Sequence, residues 1–176
     1  MARTHYIRKS RKDQHCRKGG HTVPKGQPYH YAEFRYRGKA TGCPKHPLRP
    51  SDHTGGKMSA VMAGQEAIQD ATGYDAQLDA AREIIQILQD VGSEYQDSVD
   101  NMPEGLQQGY KGEAMQQLAD DLDNFASEIE SDIDGIPEME DEYEDDDERS
   151  EAQEERDNAI QEVLDRIDQE VPEPEW

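Results

Sequence analysis

The sequence has little of what a large hydrophobic core requires. Only 32% of its 176 residues are hydrophobic and 6% are aromatic, whereas 34% are charged. So few apolar side chains make a single large core improbable for a chain of this length. We therefore expect small or elongated units instead of one large globular domain.

Long apolar runs and catalytic signatures are also missing. No run approaches the roughly 20 residues that span a bilayer, and the first five residues contain no apolar signal core. No phosphate-cradling glycine loop and no nucleophile with a specific signature occurs, and the cluster of Asp120, Asp121 and Asp123 lacks the spacing of a calcium loop. We expect a cytoplasmic, nonenzymatic protein.

Positive charge is almost confined to one end of the chain. Residues 1–57 hold 14 Lys and Arg against three acidic residues, a formal charge of +11. Residues 58–176 hold five Lys and Arg against 37 Asp and Glu, a formal charge of −32. Such segregation predicts that the first part binds anionic partners and that the second repels or imitates them.

Cysteine and histidine occur in two pairs within the basic part. His21 follows Cys16 after four residues, and His46 follows Cys43 after two. Two donor pairs on tight turns are the usual way to supply four tetrahedral zinc ligands. Because a segment this short cannot be held by apolar contacts alone, Zn²⁺ would act as its staple. We predict a zinc site formed by these four residues.

Alternatives stay open for the second ligand and for the state of the cysteines. We prefer His21 to His15, because adjacent residues rarely bind one ion and Cys16 already uses that turn. His30 would have to reach the ion from a strand. Two free thiols or a disulfide between Cys16 and Cys43 would compete with zinc, and a cytosolic location disfavours the disulfide.

The residues around these pairs resemble small zinc-ribbon or treble-clef-like modules. The resemblance is carried by Cys16-Arg17-Lys18, by the run from Val23 to Tyr29, by Phe34-Arg35-Tyr36 and by Cys43. In particular, the pattern is similar to uncharacterised tailed-bacteriophage proteins that begin with such a module and continue into an acidic helical region. Their first knuckle usually carries two cysteines, and Gly19 stands where the second would be. The resemblance implies zinc, implies the host cytoplasm for a viral protein, and implies no established activity.

Strand-forming aromatic residues separate the two pairs, and basic residues surround them. This mixture fits phosphate contact combined with base stacking. The alternative is that the rings form the small core of the module while the charges solvate it. The aromatic residues are Tyr29, Tyr31, Phe34 and Tyr36, and the predicted nucleic-acid contacts are Arg8, Lys9, Arg11, Lys12, Arg17, Lys18, Arg35, Arg37 and Lys39.

Helical patterns replace strand patterns after residue 57. A first helix is predicted from Met58 to about Thr72. Two seams with apolar residues at alternating intervals of three and four then predict an antiparallel coiled-coil hairpin. An open groove for a partner helix is the alternative. The seams consist of Leu78, Ala81, Ile85, Leu88, Gly92, Tyr95, Val99 and Met102, and of Met115, Leu118, Leu122, Phe125, Ile129, Ile133 and Ile136.

The predicted fold class is α+β, with a small β-rich zinc module followed by a mainly α-helical acidic region. We predict a basic zinc-binding module over residues 1–57, a helical region with the hairpin over 58–137, an acidic linker over 138–149, and a carboxy-terminal helix and tail over 150–176. The terminal Trp176 is either an idle chain end or an anchor for a partner pocket.

Three hypotheses for function follow. The first is a zinc-binding adaptor that engages nucleic acid or a nucleoprotein complex through the basic module and protein through the acidic helices. The second is an acidic inhibitor or chaperone that imitates DNA and occupies a groove on a basic protein. The third is a structural or assembly protein in which zinc has a purely structural role.

Overall fold

A computed structural model describes residues 3–34, 38–54, 56–139 and 145–174. The predicted contacts Arg35 and Arg37, the aromatic residue Tyr36, residues 140–144 of the predicted linker, and Trp176 lie outside these ranges. The described chain combines a small antiparallel sheet with several helices, so the α+β prediction is confirmed. It divides into two compact units, Met1–Ala63 and Gly64–Trp176. The division falls inside a helix, six residues beyond the predicted boundary.

The amino-terminal unit contains five short strands in two sheets. One sheet has the antiparallel order β1-β4-β5, so that the central β4 pairs on both sides, and β2 and β3 form a separate antiparallel ribbon. A single helical turn, α1, follows the strands. The elements are β1 (Thr4–Ile7), β2 (Gln14–His15), β3 (Thr22–Val23), β4 (Tyr29–Phe34), β5 (Gly38–Gly42) and α1 (Pro50–His53).

The sheets of this unit enclose very little apolar volume. Their hydrophobic cluster consists of Cys16, Val23 and Cys43, with Tyr29 packed against it while still partly exposed. Tyr6 is 62% exposed, and no described aromatic side chain before residue 55 is buried. The two cysteines are thus at the centre of the cluster, and Tyr29 covers part of it.

The carboxy-terminal unit is helical, and two of its long helices, α3 (Tyr74–Asp100) and α5 (Tyr110–Asp134), run antiparallel. The Gln116 side-chain amide donates to Gln96 Oε1 at 2.5 Å, and a Cβ placed on Gly92 would lie 3.2 Å from the carbonyl oxygen of Ala119. These contacts pair α3 and α5 in opposite directions. The helices are α2 (Met58–Asp70), which crosses the unit boundary, α3 (Tyr74–Asp100), α4 (Glu104–Gln107), α5 (Tyr110–Asp134) and α6 (Asp146–Glu170).

Both predicted seams are largely buried, but the buried faces are wider than two residues per heptad. In α3, Ile84 and Val91 join the seam, and in α5 Ala119 and Ala126 do so. Other helices cover these wider faces, because α6 packs against both α3 and α5 and a Cβ placed on Gly64 of α2 would lie 2.9 Å from Cγ1 of Ile84. A pure two-helix seam would have left these positions in solvent. Supercoiling of the pair stays a prediction.

Helix α6 begins earlier than the sequence indicated. Its first residue is Asp146, inside the stretch predicted as an acidic linker, because the Asp145 carboxylate accepts a 2.8 Å hydrogen bond from the amide of Glu148 and caps the helix. The carboxylates of the first turn also favour the positive end of the helix dipole. Its buried face comprises Ile160, Val163, Leu164 and Ile167.

Two of the few arginines in the acidic unit connect α6 to its neighbours. Arg156 pairs with Asp75 at the start of α3 at 2.5 Å. Arg166 pairs with Glu128 at 2.8 Å and with Asp132, both on α5. Hydrogen bonds with carboxylates, first that of Glu170, raise the pKa of Arg166. None of the described helices is long and apolar enough to cross a membrane.

Replacing Leu122 by Ala tests the packing of α3 and α5. Leu122 is fully buried, so we expect its truncation to lower the free energy of unfolding by about 2 to 5 kcal/mol. The adjacent Asp123 is exposed, so Asp123→Ala should change it by less than about 0.5 kcal/mol. Thermal unfolding followed by circular dichroism measures both.

Salt provides an independent check of the same unit. The many carboxylates of the helical unit repel one another, and salt screens this repulsion. The melting temperature of the helices should therefore rise with ionic strength. A fall, or equal losses for Leu122→Ala and Asp123→Ala, would contradict the proposed packing.

Candidate metal centre

Loops at the ends of the strands bring the four predicted ligands together. Cys16 directly follows β2 and His21 directly precedes β3, while Cys43 directly follows β5 and His46 lies three residues further on. One ligand atom from each residue lies within 4.8 Å of all the others. The sequence pairs thus become one cluster that could hold a metal ion.

The separations within the cluster suit a tetrahedral ion. His46 Nδ1 lies 3.3 Å from Cys43 Sγ and 3.8 Å from Cys16 Sγ, and the rings of His21 and His46 are 5.2 Å apart at their centroids. Zinc bonded to sulfur and nitrogen at its usual distances has ligand-to-ligand edges of about 3.3 to 3.8 Å. Two thiolates and two imidazoles are also a common zinc donor set, so the site fits this metal.

Backbone hydrogen bonds hold both loops in position. The amide of Cys16 donates to the carbonyl of His21 at 2.9 Å, and the amide of His46 donates to the carbonyl of Cys43 at 2.9 Å. A third bond at 2.9 Å, from the amide of Arg17 to the carbonyl of Thr41, joins the first loop to β5. These hydrogen bonds attach both ligand loops to the strands and so place the four donors close together.

The thiols lie inside the unit while one histidine faces solvent. Cys16 and Cys43 are both free and buried, whereas His21 is exposed, which gives an ion a route into the site. Burial alone would raise the pKa of Cys43. Hydrogen bonds from the His46 side chain, from the backbone of Lys45 and His46, and from the His21 side chain outweigh it and lower this pKa to about 6. The lowered pKa favours the thiolate form of Cys43, which is the form that binds metal.

Gly19 makes room for the two imidazoles. A Cβ placed on it would lie 2.6 Å from Nδ1 of His46 and 2.5 Å from Cε1 of His21. Both separations are too short for real side-chain contacts. Gly19, which stands where a two-cysteine knuckle has its second cysteine, is therefore a position where any side chain would collide with the histidine ligands. The sequence pattern gave no direct sign of this steric role.

The other histidines have different surroundings. His30 accepts a 3.2 Å hydrogen bond at Nε2 from the amide of Leu48, and His15 is an exposed residue of β2 outside the cluster. His5 stacks on Tyr31 with ring centroids 5.0 Å apart. The structure therefore favours His21 over both alternatives.

The predicted nucleic-acid contacts fall into separate groups. Four of them line one groove beside β1: Arg8, Lys9, Arg11 and Lys12. Arg17 and Lys18 are exposed on the loop between the first two ligands. Lys39 differs, because its ammonium pairs with Glu33 at 3.4 Å and lies 4.4 Å from the ring centroid of Tyr31. Tyr6, which sequence reasoning did not select, also lines the groove.

Comparison of this chain with protein-family models, with curated proteins and with solved structures finds no match. The resemblance to zinc modules of tailed-bacteriophage proteins therefore stays a prediction. What is known of the site comes from its own geometry.

The cluster predicts about one zinc ion per chain in protein expressed with sufficient metal. Cys43→Ser should remove the metal and unfold the strands while leaving the helical circular dichroism nearly intact, because the small core surrounds the thiols. His15→Ala is the matched control and should keep its zinc. Elemental analysis measures the metal, and less than about half an equivalent in the unaltered protein would contradict the site.

Gly19→Ala should weaken zinc binding about 10- to 100-fold, the range typical of changes that disturb ligand orientation. The added methyl group must displace the ring of His21 or His46. Lys18→Ala, at the neighbouring exposed position, should leave the affinity unchanged. Competition with a chromophoric chelator measures the affinities, and equal values for the two variants would show that the rings do not occupy these positions in the zinc-bound protein.

Proposed function

We propose that this chain is a nonenzymatic adaptor whose amino-terminal unit, held together by zinc, binds nucleic acid or a nucleoprotein complex, and whose acidic helices bind protein. The carrying observation is that a four-donor cluster and an exposed basic surface occur on one small unit. That unit has almost no hydrophobic core of its own.

The composition of the metal cluster supports a structural role for zinc. Four protein donors complete a tetrahedral shell, whereas catalytic zinc sites keep a position for water or substrate. The two thiols are also the centre of the small core. Zinc would thus hold the strands and loops that present the basic residues, which supports the nonenzymatic assignment.

The placement of charge and aromatic rings supports nucleic acid as the ligand of this unit. All of the predicted contacts that the structure describes are exposed, and all of these except Lys39, which pairs with Glu33, are available to phosphates. Of the aromatic rings that the structure describes in this unit, that of Tyr6 is exposed and those of Tyr29, Tyr31 and Phe34 are half-buried. Exposed rings beside cations are what base stacking combined with phosphate neutralisation requires.

The helical unit supports binding of a basic protein. Its formal charge is strongly negative, and carboxylates recur along the exposed face of α3 at Asp79, Glu83, Asp90 and Asp97. A surface of this kind attracts basic proteins and repels nucleic acid. The same feature favours a second candidate function, in which the helices imitate DNA and inhibit or chaperone a basic protein.

A salt-titrated binding assay on the zinc-loaded full-length chain tests the proposal. The logarithm of the association constant for DNA or RNA should fall linearly with the logarithm of salt concentration, by about 0.7 to 0.9 for each phosphate neutralised. Replacing Arg17 and Lys18 together by Ala should make the slope shallower by about 1.4 to 1.8. Removing zinc with a chelator should weaken binding, because the strands lose their staple.

Controls separate the candidate functions. Lys111 is exposed on α5, and Lys111→Ala should leave the slope unchanged. Zinc-loaded protein that binds neither DNA nor RNA at low salt would contradict the nucleic-acid assignment. If such protein captures a basic protein and polyanions displace it, the DNA-mimic function replaces the adaptor. If the protein binds neither nucleic acid nor a basic protein, a purely structural or assembly role is left.

A further inference from the structure

A groove beside β1 combines cations with aromatic rings. It has a volume of about 720 Å³, and its walls include Arg8, Lys9, Arg11, Lys12, Tyr6 and Tyr29. None of the described side chains that line it is acidic. This volume lies within the range of about 300 to 1,000 Å³ that is typical of pockets for small molecules. The groove can therefore enclose individual groups of a ligand.

Hydrogen bonds attach the basic loop of this groove to a neighbouring turn. Ser10 is 4% exposed; its amide donates to the carbonyl of Gln27 at 2.9 Å, and its carbonyl accepts from the amide of Gly26 at 2.9 Å. The Ser10 hydroxyl also accepts a 3.3 Å hydrogen bond from the amide of Lys12. The backbone that carries the four cations is thus already ordered, which reduces the entropy lost on binding.

Asp13, the nearest carboxylate in the sequence, is used by the loop itself. Its Oδ1 accepts a 2.7 Å hydrogen bond from the amide of Lys25, and Asp13 does not line the groove. Lys39 provides a contrast, because it is paired with Glu33. The four groove cations therefore form the part of the basic surface best suited to an anionic ligand.

Tyr6 indicates which anionic ligand fits. Its side chain is 62% exposed at the wall of the groove. Stacking of a base on an aromatic ring contributes about 1 to 3 kcal/mol and requires an accessible base face. Bases within a duplex are already stacked on one another, whereas unpaired bases offer their faces. A single strand can therefore use the ring and the cations together.

We propose that this groove binds single-stranded nucleic acid, with phosphates contacting Arg8, Lys9, Arg11 and Lys12 and a base stacked on Tyr6. This inference rests on the proposed function, and it adds the strand type and the residues that select it. The metal cluster does not line the groove, so zinc would support the groove without contacting the strand.

Fluorescence anisotropy with the zinc-loaded full-length chain tests the inference. The probes are a labelled 20-nucleotide oligo-dT and a 20-base-pair duplex at the same salt concentration. We expect tighter binding of oligo-dT. Tyr6→Ala should weaken oligo-dT binding about 5- to 150-fold, the equivalent of one lost stacking contact, and change duplex binding less than twofold. Tyr6→Phe should keep most of the affinity because it retains the ring.

Matched control variants test whether the effects are specific to the ring of Tyr6 and to the cations of the groove. Tyr110 is 70% exposed on α5, and Tyr110→Ala should have no effect. Replacing Lys9 and Lys12 together by Ala should reduce the salt slope for oligo-dT by about 1.4. Replacing Lys25 and Lys111, two exposed lysines outside the groove, should leave the slope unchanged. Zinc content and thermal melting confirm that each variant is folded.

The outcomes distinguish this inference from the proposed function. If the protein binds neither probe, nor a matching RNA, both are wrong. If it binds nucleic acid but prefers the duplex, or if folded Tyr6→Ala binds oligo-dT as tightly as the unaltered chain, the groove assignment is wrong and the proposed function stands.

Discussion

The amino-terminal unit depends on the convergence of Cys16, His21, Cys43 and His46. Its sheets bury almost no large apolar side chain, and the two cysteines are the centre of its hydrophobic cluster. Short strands without a core are marginal in water, so a strong local interaction must replace the missing apolar burial. The donor geometry fits zinc, and binding energy at such a site contributes directly to folding. Gly19 serves this requirement because it leaves space for both imidazoles.

Repulsion between carboxylates is the main constraint on the helical unit. Apolar faces on α3, α5 and α6 provide the stabilisation, and the buried faces are wider than a two-helix seam because α6 and α2 also pack in this unit. Two of the five cations of residues 58–176 are placed where they offset repulsion between helices. Arg156 joins α6 to α3, and Arg166 joins α6 to α5. The exposed carboxylates among the described residues are the reason for the expected dependence of its stability on salt.

The two units carry opposite charges on different kinds of secondary structure. Cations accompany the metal cluster on a unit of short strands and ordered loops, which can present them together with aromatic rings. Carboxylates accompany long helices, whose exposed faces accommodate many like charges spaced along the axis. A partner that carries both nucleic acid and basic protein would satisfy both units. This is the physical basis for proposing an adaptor and for locating single-strand binding in the groove beside β1.

The sequence alone determined the features that depend on local patterns. Charge segregation, the two Cys/His pairs and the apolar periodicities of α3 and α5 are each visible within a short window, and these elements were predicted near their observed bounds. Tertiary structure decided what depends on contacts between distant residues. Only the fold distinguishes His21 from His15 and His30 as the second ligand and shows the steric role of Gly19. Only the fold, too, places Tyr6 with Arg11 and Lys12 at one groove. The same holds for Ile84 and Val91, whose burial depends on helices that are remote in sequence, because side chains are brought together by strand pairing and helix packing that periodicity does not specify.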